Sequence, residues 1–154
     1  MEYVSLIAEF GARYGMEGLR PDEDGVAGFE VSGRRLFLQQ MPGTSCVIVT
    51  AELGEVPPGA AATDRLLLRA NQALFVFDGM SICRRSEADQ YILVARIDIE
   101  RLDFQGFDEK MAQVLKRVEQ WRELLERFAP LADEAAKIPD DLPFGTPSED
   151  LLRI

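Results

Sequence analysis

The segment LLLRANQALF, residues 66–75, constrains this chain most, because it is apolar around too much of its circumference for a surface helix. On a helical wheel its apolar side chains sweep an arc of roughly 220°, whereas a helix that covers a small domain needs a stripe of roughly 100°. Thr63 or Asp64 is expected to cap this helix after the loop at 54–61. The segment predicts either a fully buried helix or a helix that meets a partner.

The remaining elements follow from hydrophobic periodicity. Helical spacing predicts one amphipathic helix from Tyr3 to Tyr14 and another from about Phe104 to Phe128, with Asp103 as its N-cap. Period-two alternation predicts three strands before the broad helix, the first two joined at Ser32-Gly33, and two strands after it. The third strand, Thr44 to Leu53, is apolar on both faces and is expected at the sheet centre. The order helix-βββ-helix-ββ-helix is typical of the α+β class, with helices packed on a twisted antiparallel sheet.

Length and composition suggest one domain with a tail. A chain of 154 residues supports one ordinary core. We expect this domain over residues 1–128, followed by an acidic tail at 129–154 that holds half of the eight prolines. Because such a composition buries little apolar surface, the tail is expected to be flexible.

The charge of the chain restricts its partners. With 17 basic and 27 acidic residues, the net charge is −10, which disfavours nucleic acid and anionic lipid and favours basic or amphipathic partners. No apolar run approaches the ~20 residues of a membrane span, and the N-terminal segment MEYVSLIAEF lacks the features of a secretory signal. These observations predict a cytoplasmic protein. Cys46 and Cys83 lie in apolar segments and are predicted to be buried, reduced thiols.

Residues that could carry catalysis are few. The chain contains no histidine, which removes the commonest general base and the usual Ser-His and Cys-His arrangements. Two carboxylate clusters lie in a predicted turn and in the first turn of a helix, where acids are structurally favoured; they are Asp22, Glu23 and Asp24, and Asp108 and Glu109. A small carboxylate hydrolase is the enzyme alternative. The segment DEDG lacks the ligand spacing of a calcium loop and no glycine-rich phosphate loop is present, so neither a metal nor a cofactor is predicted.

These features together indicate a binding module that dimerises, since two-fold contacts are the commonest form of oligomer. The alternative is that the broad helix lies sandwiched in the core of a monomer. Arg69 and Gln72 disfavour that alternative, because a central helix would need polar partners for both side chains. Trp121 lies on the apolar stripe of the last helix and is predicted to pack in the core.

Several segments also carry a family resemblance. LIAEFGARYGMEGL leads into DEDGVAGFEV, VIVTAELGEVP precedes LLLRANQALF, and YILVARIDIERLDFQGFDEKM leads into VEQWRELL. The most specific parts are Leu53-Gly54-Glu55-Val56-Pro57 and Leu67-Leu68-Arg69-Ala70-Asn71. From Tyr3 to Phe128 the chain resembles the class I type III secretion chaperones, the family that includes the Tir chaperone.

This resemblance implies a cytoplasmic homodimer that binds an N-terminal region of a secreted effector and keeps it extended and secretion-competent without ATP hydrolysis. Components of the secretion apparatus are further candidate partners. An adaptor or regulatory protein of the same fold outside secretion is the alternative function. The resemblance places the dimer contact on the second helix, and the expected interface residues are Leu67, Leu68, Asn71, Leu74 and Phe75.

The client groove is expected on the sheet and the first helix. The candidate residues are Phe29, Leu36, Leu38, Val47 and Val49. Because side chains alternate along a strand, some of these residues must instead face the core.

Overall fold

The computed structural model describes residues 2–85 and 87–128. The tail predicted at 129–154 lies outside the described residues. The elements are α1 (Tyr3–Arg13), β1 (Val26–Val31), β2 (Arg34–Gln40), β3 (Cys46–Glu55), α2 (Ala61–Asp78), β4 (Met80–Arg85), β5 (Gln90–Asp98) and α3 (Phe104–Phe128). This is the predicted α+β order of helices and strands.

The five strands form one antiparallel sheet in the order β1-β2-β3-β5-β4. β3 lies at the centre, as its apolar residues on both faces predicted. The pairing of β3 with β5 shifts register between Glu52 and Gly54, which marks a β-bulge. β1 and β4 are the two edges of the sheet.

Helices α1 and α3 cover one face of the sheet, which we call the core face. Most strand side chains on this face are buried together with apolar residues of both helices, and Phe29 and Val31 on the edge strand β1 are partly buried. In α3 the buried residues recur at spacings of four and three, so that they form one stripe; they are Phe107, Met111, Val114 and Val118. Trp121 packs partly buried against the same core, consistent with its place on the stripe.

The helix ends agree with the sequence at α3 and differ from it at α2. The backbone N–H of Gly106 donates a 2.8 Å hydrogen bond to Asp103 Oδ1, so Asp103 caps α3 as predicted. α2 instead begins after Ala60, which makes no side-chain cap bond. The prediction that Thr63 or Asp64 caps α2 is therefore wrong. Both residues lie within the first turn, where the Asp64 carboxylate contacts β4 and β5.

Neither cysteine forms a disulfide. Cys46 is buried, as predicted, but Cys83 is exposed. The prediction that both thiols are buried is wrong for Cys83, because it alternates with the buried Ile82 on β4 and so lies on the face of the sheet opposite the core face.

Candidate interaction surfaces

Helix α2 carries large apolar side chains that are exposed, and we call them together the α2 face. Its side chains are Leu66, Leu68, Phe75, Val76 and Phe77. Leu68 is 72% exposed and Phe77 is 81% exposed. At 100° per residue, Leu68 and Phe75 lie on one flank of the buried side chains and Leu66 and Phe77 lie on the other. Large apolar side chains with this exposure mark candidate interaction surfaces. The broad apolar arc is thus divided between the core and solvent.

This division corrects part of the predicted dimer interface. Leu67 and Leu74 are only 4% and 5% exposed and pack in the core of the protomer. They are therefore not part of the surface that a second copy could cover. Leu68 and Phe75 are the two predicted interface residues that remain exposed.

The Asn71 side chain forms hydrogen bonds within the protomer. Its Nδ2 donates a 2.8 Å hydrogen bond to the carbonyl oxygen of Ile82, and the Ile82 N–H donates a 2.7 Å bond to Asn71 Oδ1. The side chain is half-buried between α2 and β4. The structure thus gives Asn71 a role within one protomer, and its contact with a second copy stays a prediction.

Two ion pairs fix the ends of α2. Near its start, Asp64 Oδ2 lies 3.0 Å from Arg84 Nη1 on β4. At its end, Asp78 Oδ1 lies 2.9 Å from Arg117 Nη2 on α3. Since α2 buries few apolar side chains, these polar contacts set the orientation of the α2 face.

The face of the sheet opposite the core face is not covered by any described helix, and we call it the open sheet face. Its centre holds four half-buried residues, which are Phe37, Ile48, Thr50 and Val94. Beside them the Glu52 carboxylate is held by the Arg35 guanidinium through contacts of 2.8 and 3.2 Å. The surface is apolar at its centre and charged at its margin, as protein-binding surfaces are.

The structure also corrects the predicted client groove. The candidates on β2 and β3 are at most 1% exposed and belong to the core face; they are Leu36, Leu38, Val47 and Val49. The accessible apolar residues alternate with these along the same strands and lie on the open sheet face, at Phe37 and Ile48. Alternation alone could have shown that two sets exist, but both sets are apolar. Phe29 is half-buried and stays a candidate.

The β1 edge of the sheet presents unpaired backbone. At Val26 both outward backbone groups are hydrogen-bonded. The Asp22 N–H donates a 2.9 Å hydrogen bond to the Val26 carbonyl oxygen, and the Val26 N–H donates a 2.8 Å hydrogen bond to Asp22 Oδ1. The N–H and C=O of one strand residue point to the same side, and successive residues alternate. The groups of Gly28 and Glu30 therefore point outward, and no residue in the described part of the chain bonds them.

Aromatic side chains lie next to this edge. The ring of Phe10 lies 5.6 Å from that of Phe29 on β1 and 4.8 Å from that of Tyr14. Tyr14 is half exposed, and its hydroxyl donates a 2.7 Å hydrogen bond to Asp108. This bond to a carboxylate raises the pKa of Tyr14 above its usual value. The cluster forms an apolar shelf beside the open edge.

The predicted carboxylate clusters have structural roles here. Asp22 closes the turn before β1, and Asp108 pairs with Tyr14 and, at 3.4 Å, with Arg13. Across residues 2–85 and 87–128, no group of three or more acidic or cysteine side chains is placed to hold a metal ion. Among the helices that the structure describes, none is long and apolar enough to cross a membrane.

The fold and these surfaces define the class of protein. An α+β module with an open sheet face, an edge strand with free backbone groups and exposed apolar residues on a helix presents surfaces of the kind that bind other polypeptides. The model of the Tir chaperone protein (CesT) family matches residues 5–122. The chain therefore belongs to this family, which confirms the resemblance seen in the sequence.

Solved structures share the fold. The ExsC-ExsE complex is 24% identical, with a TM-score of 0.71, and the match covers 81% of this chain and 97% of that chain. The HopA1-SchA chaperone-effector complex is 19% identical, with a TM-score of 0.66, and the match covers 79% of this chain and 93% of that chain. The Yersinia pestis type III secretion chaperone SycH, solved with a fragment of YscM2, is 14% identical, with a TM-score of 0.61. The match covers 78% of this chain and 99% of that chain. A search of curated proteins found no significant match.

Proposed function

We propose that this protein is a dimeric chaperone of the bacterial cytoplasm that binds the N-terminal chaperone-binding region of a type III secreted effector. Binding keeps the effector soluble and secretion-competent and does not require ATP. The observation that carries this proposal is the family match over residues 5–122. The similarity of fold to a solved chaperone-effector complex supports it.

The β1 edge is the proposed docking site for an extended client segment. Such a segment would pair its backbone with the outward groups of Gly28 and Glu30. Its side chains would then alternate between the aromatic shelf at Phe29 and Tyr14 and the open sheet face at Phe37. Backbone pairing makes binding tolerant of sequence, whereas the apolar contacts select particular side chains.

The charge near the β1 edge favours a basic client. The turn before β1 carries three exposed carboxylates, which are Asp22, Glu23 and Asp24. Glu30 on β1 lies opposite Arg35, whose guanidinium is paired with Glu52. Each exposed pair with a client lysine or arginine adds about 1 kcal/mol or less, so the charges steer the client more than they hold it.

The α2 face is the proposed dimer contact. It is apolar and exposed, and its helix is fixed to the protomer at both ends. A second copy related by two-fold symmetry would cover Leu68 and Phe75 with the same residues of its own. This contact leaves the β1 edge, on the opposite side of the sheet, open in each protomer.

Copurification tests the proposal. The full chain is co-expressed with N-terminal fragments of candidate effectors, and the mass of the purified complex is measured by light scattering. We expect a dimer that retains one fragment, and we expect Phe37→Asp to lose the fragment while staying a dimer. Gln113→Asp, on the exposed side of α3, is the matched control and should retain the fragment. A stable monomer that captures no extended segment would overturn the proposal.

A further inference from the structure

The two edges of the sheet differ in where along the strand the outward backbone groups are bonded. On β4 the side-chain amide of Asn71 both donates to the Ile82 carbonyl and accepts from the Ile82 N–H, at 2.8 and 2.7 Å. Two such bonds to one residue are what a neighbouring strand makes at a hydrogen-bonded pair of an antiparallel ladder. Asn71 therefore takes the place of a sixth strand at this point.

The position of Ile82 makes this contact effective. It is the third of the six residues of β4, whose other side is paired with β5. The buried side chains of Leu67 and Leu74 on α2 lie one helical turn to either side of Asn71. A strand that approached β4 would thus have to displace the amide at the centre of the edge.

On β1 the bonded outward position lies at the start of the strand. Its first outward position is bonded by Asp22, but the outward groups of Gly28 and Glu30 have no hydrogen-bond partner within the described residues. The outward groups of Met80 and Arg84 on β4 have no hydrogen-bond partner within the described residues either, so the two edges differ in where the bonded position lies. A bonded residue at the centre of an edge interrupts the row of free N–H and C=O groups that an added strand would need.

We propose that Asn71 closes the β4 edge to strand addition, so that an incoming strand pairs with β1 and a second copy contacts α2 through side chains. The assignment of the client strand to β1 rests on the proposed chaperone function. The closure of β4 by Asn71 does not, because it concerns the free protein.

Hydrogen exchange of the full chain tests the closure without a client. We expect the Ile82 amide to be protected in the wild type and to exchange about tenfold faster in Asn71→Ala, since the variant removes its only acceptor. Gln72→Ala is the matched control, because Gln72 is the exposed neighbour on the same helix. It should leave the exchange of Ile82 unchanged.

Association of the variant tests the consequence. With its edge open, Asn71→Ala should form species larger than those of the wild type as its concentration rises, measured by light scattering. In those species the β4 amides, including that of Ile82, should again be protected from hydrogen exchange. If Ile82 exchanges in Asn71→Ala as in the wild type, or if it exchanges faster and no larger species form, the proposal is wrong and α2 alone covers the edge.

A second variant applies if Asn71→Ala does not fold, as judged by circular dichroism. Asn71→Asp still accepts from the Ile82 N–H but cannot donate to its carbonyl, so it should keep the protection of Ile82 and associate less than a fully open edge. Association equal to that of the wild type would contradict the closure. A wild type that captures no effector fragment, together with an Asn71 variant that associates through β4, would reject the chaperone function and support the closure.

Discussion

The phenol of Tyr91 donates a 2.5 Å hydrogen bond to the carboxylate of Asp64 and so ties the first turn of α2 to β5. Tyr91 is 2% exposed, and burial, followed by the Asp64 carboxylate, raises its pKa well above the usual value. A neutral phenol is thus held as a donor throughout the neutral range. This bond, with those of Asn71 and Asp78 further along the helix, holds α2 in place while the side chains of the α2 face stay exposed.

Replacing this phenol should loosen α2. Tyr91→Phe leaves Asp64 Oδ1 without its donor while Arg84 still contacts Oδ2, and we expect the free energy of unfolding to fall by about 1–2 kcal/mol. Urea denaturation measures the change. Tyr14→Phe removes a hydroxyl that also donates to a carboxylate, but at an exposed site, and should change stability by less than about 0.5 kcal/mol. Equal losses in the two variants would contradict the anchoring role of Tyr91.

An acidic residue on the α2 face should split the dimer. Leu68→Asp places a charge in the proposed contact, and we expect monomers of unchanged fold by light scattering and circular dichroism. Ala112→Asp, on the exposed side of α3, should remain dimeric. Leu67→Ala should instead destabilise the protomer itself by about 2–5 kcal/mol, because Leu67 is a core residue. A Leu68→Asp protein that keeps the wild-type mass would exclude this interface.

Proline at the outward position of β1 should block client pairing. Glu30→Pro removes an outward N–H but no bond to β2, which an edge strand tolerates. We expect the affinity for an effector fragment to fall at least about tenfold, measured by calorimetry, which corresponds to about 1.4 kcal/mol. Glu30→Thr, which keeps the N–H, separates this loss from the loss of charge. Gly28 is a poorer position for the proline, since a Cβ added there would lie 3.3 Å from the Phe37 ring.

The stability of the protein should decline in alkali. Burial raises the pKa of Tyr3 to about 12 from an ordinary value of 10.0. The Tyr3 hydroxyl donates a 2.7 Å hydrogen bond to the Leu38 carbonyl oxygen. A pKa that is higher in the folded state gives a contribution that is complete below pH 10 and is lost as the pH rises from 10 towards 12. We expect urea midpoints to fall over this range. The fall should be shallower in Tyr3→Phe, and an equally steep fall would assign it to other groups.

The chaperone domain should not need the segment after α3. We expect a chain ending at Phe128 to unfold cooperatively and to bind the same effector fragment as the full chain, because the family match ends at residue 122. Thermal unfolding and calorimetry compare the two chains. A truncated chain that folds and no longer binds would assign a docking role to residues 129–154.

The local elements were predictable because each has its own period. The spacing of Phe107, Met111 and Val114 is helical, and Thr44 to Leu53 is apolar on both faces, as a central strand is. Asp103 could be identified as a cap from its position before α3. The start of α2 was not predictable in the same way, because Ala60 offers no capping side chain and the Asp64 carboxylate bonds to β4 and β5.

The interaction surfaces depended on information that one strand or helix does not contain. Leu36 and Phe37 are both apolar, and only the packing of α1 and α3 decided that Leu36 is buried and Phe37 is accessible. Leu67 and Leu68 were divided in the same way by the position of α2 at the β4 edge. Periodicity along the chain determined which residues form helices and strands, because it depends on near neighbours. Tertiary structure alone decided which apolar side is covered, because that depends on which distant element packs against it.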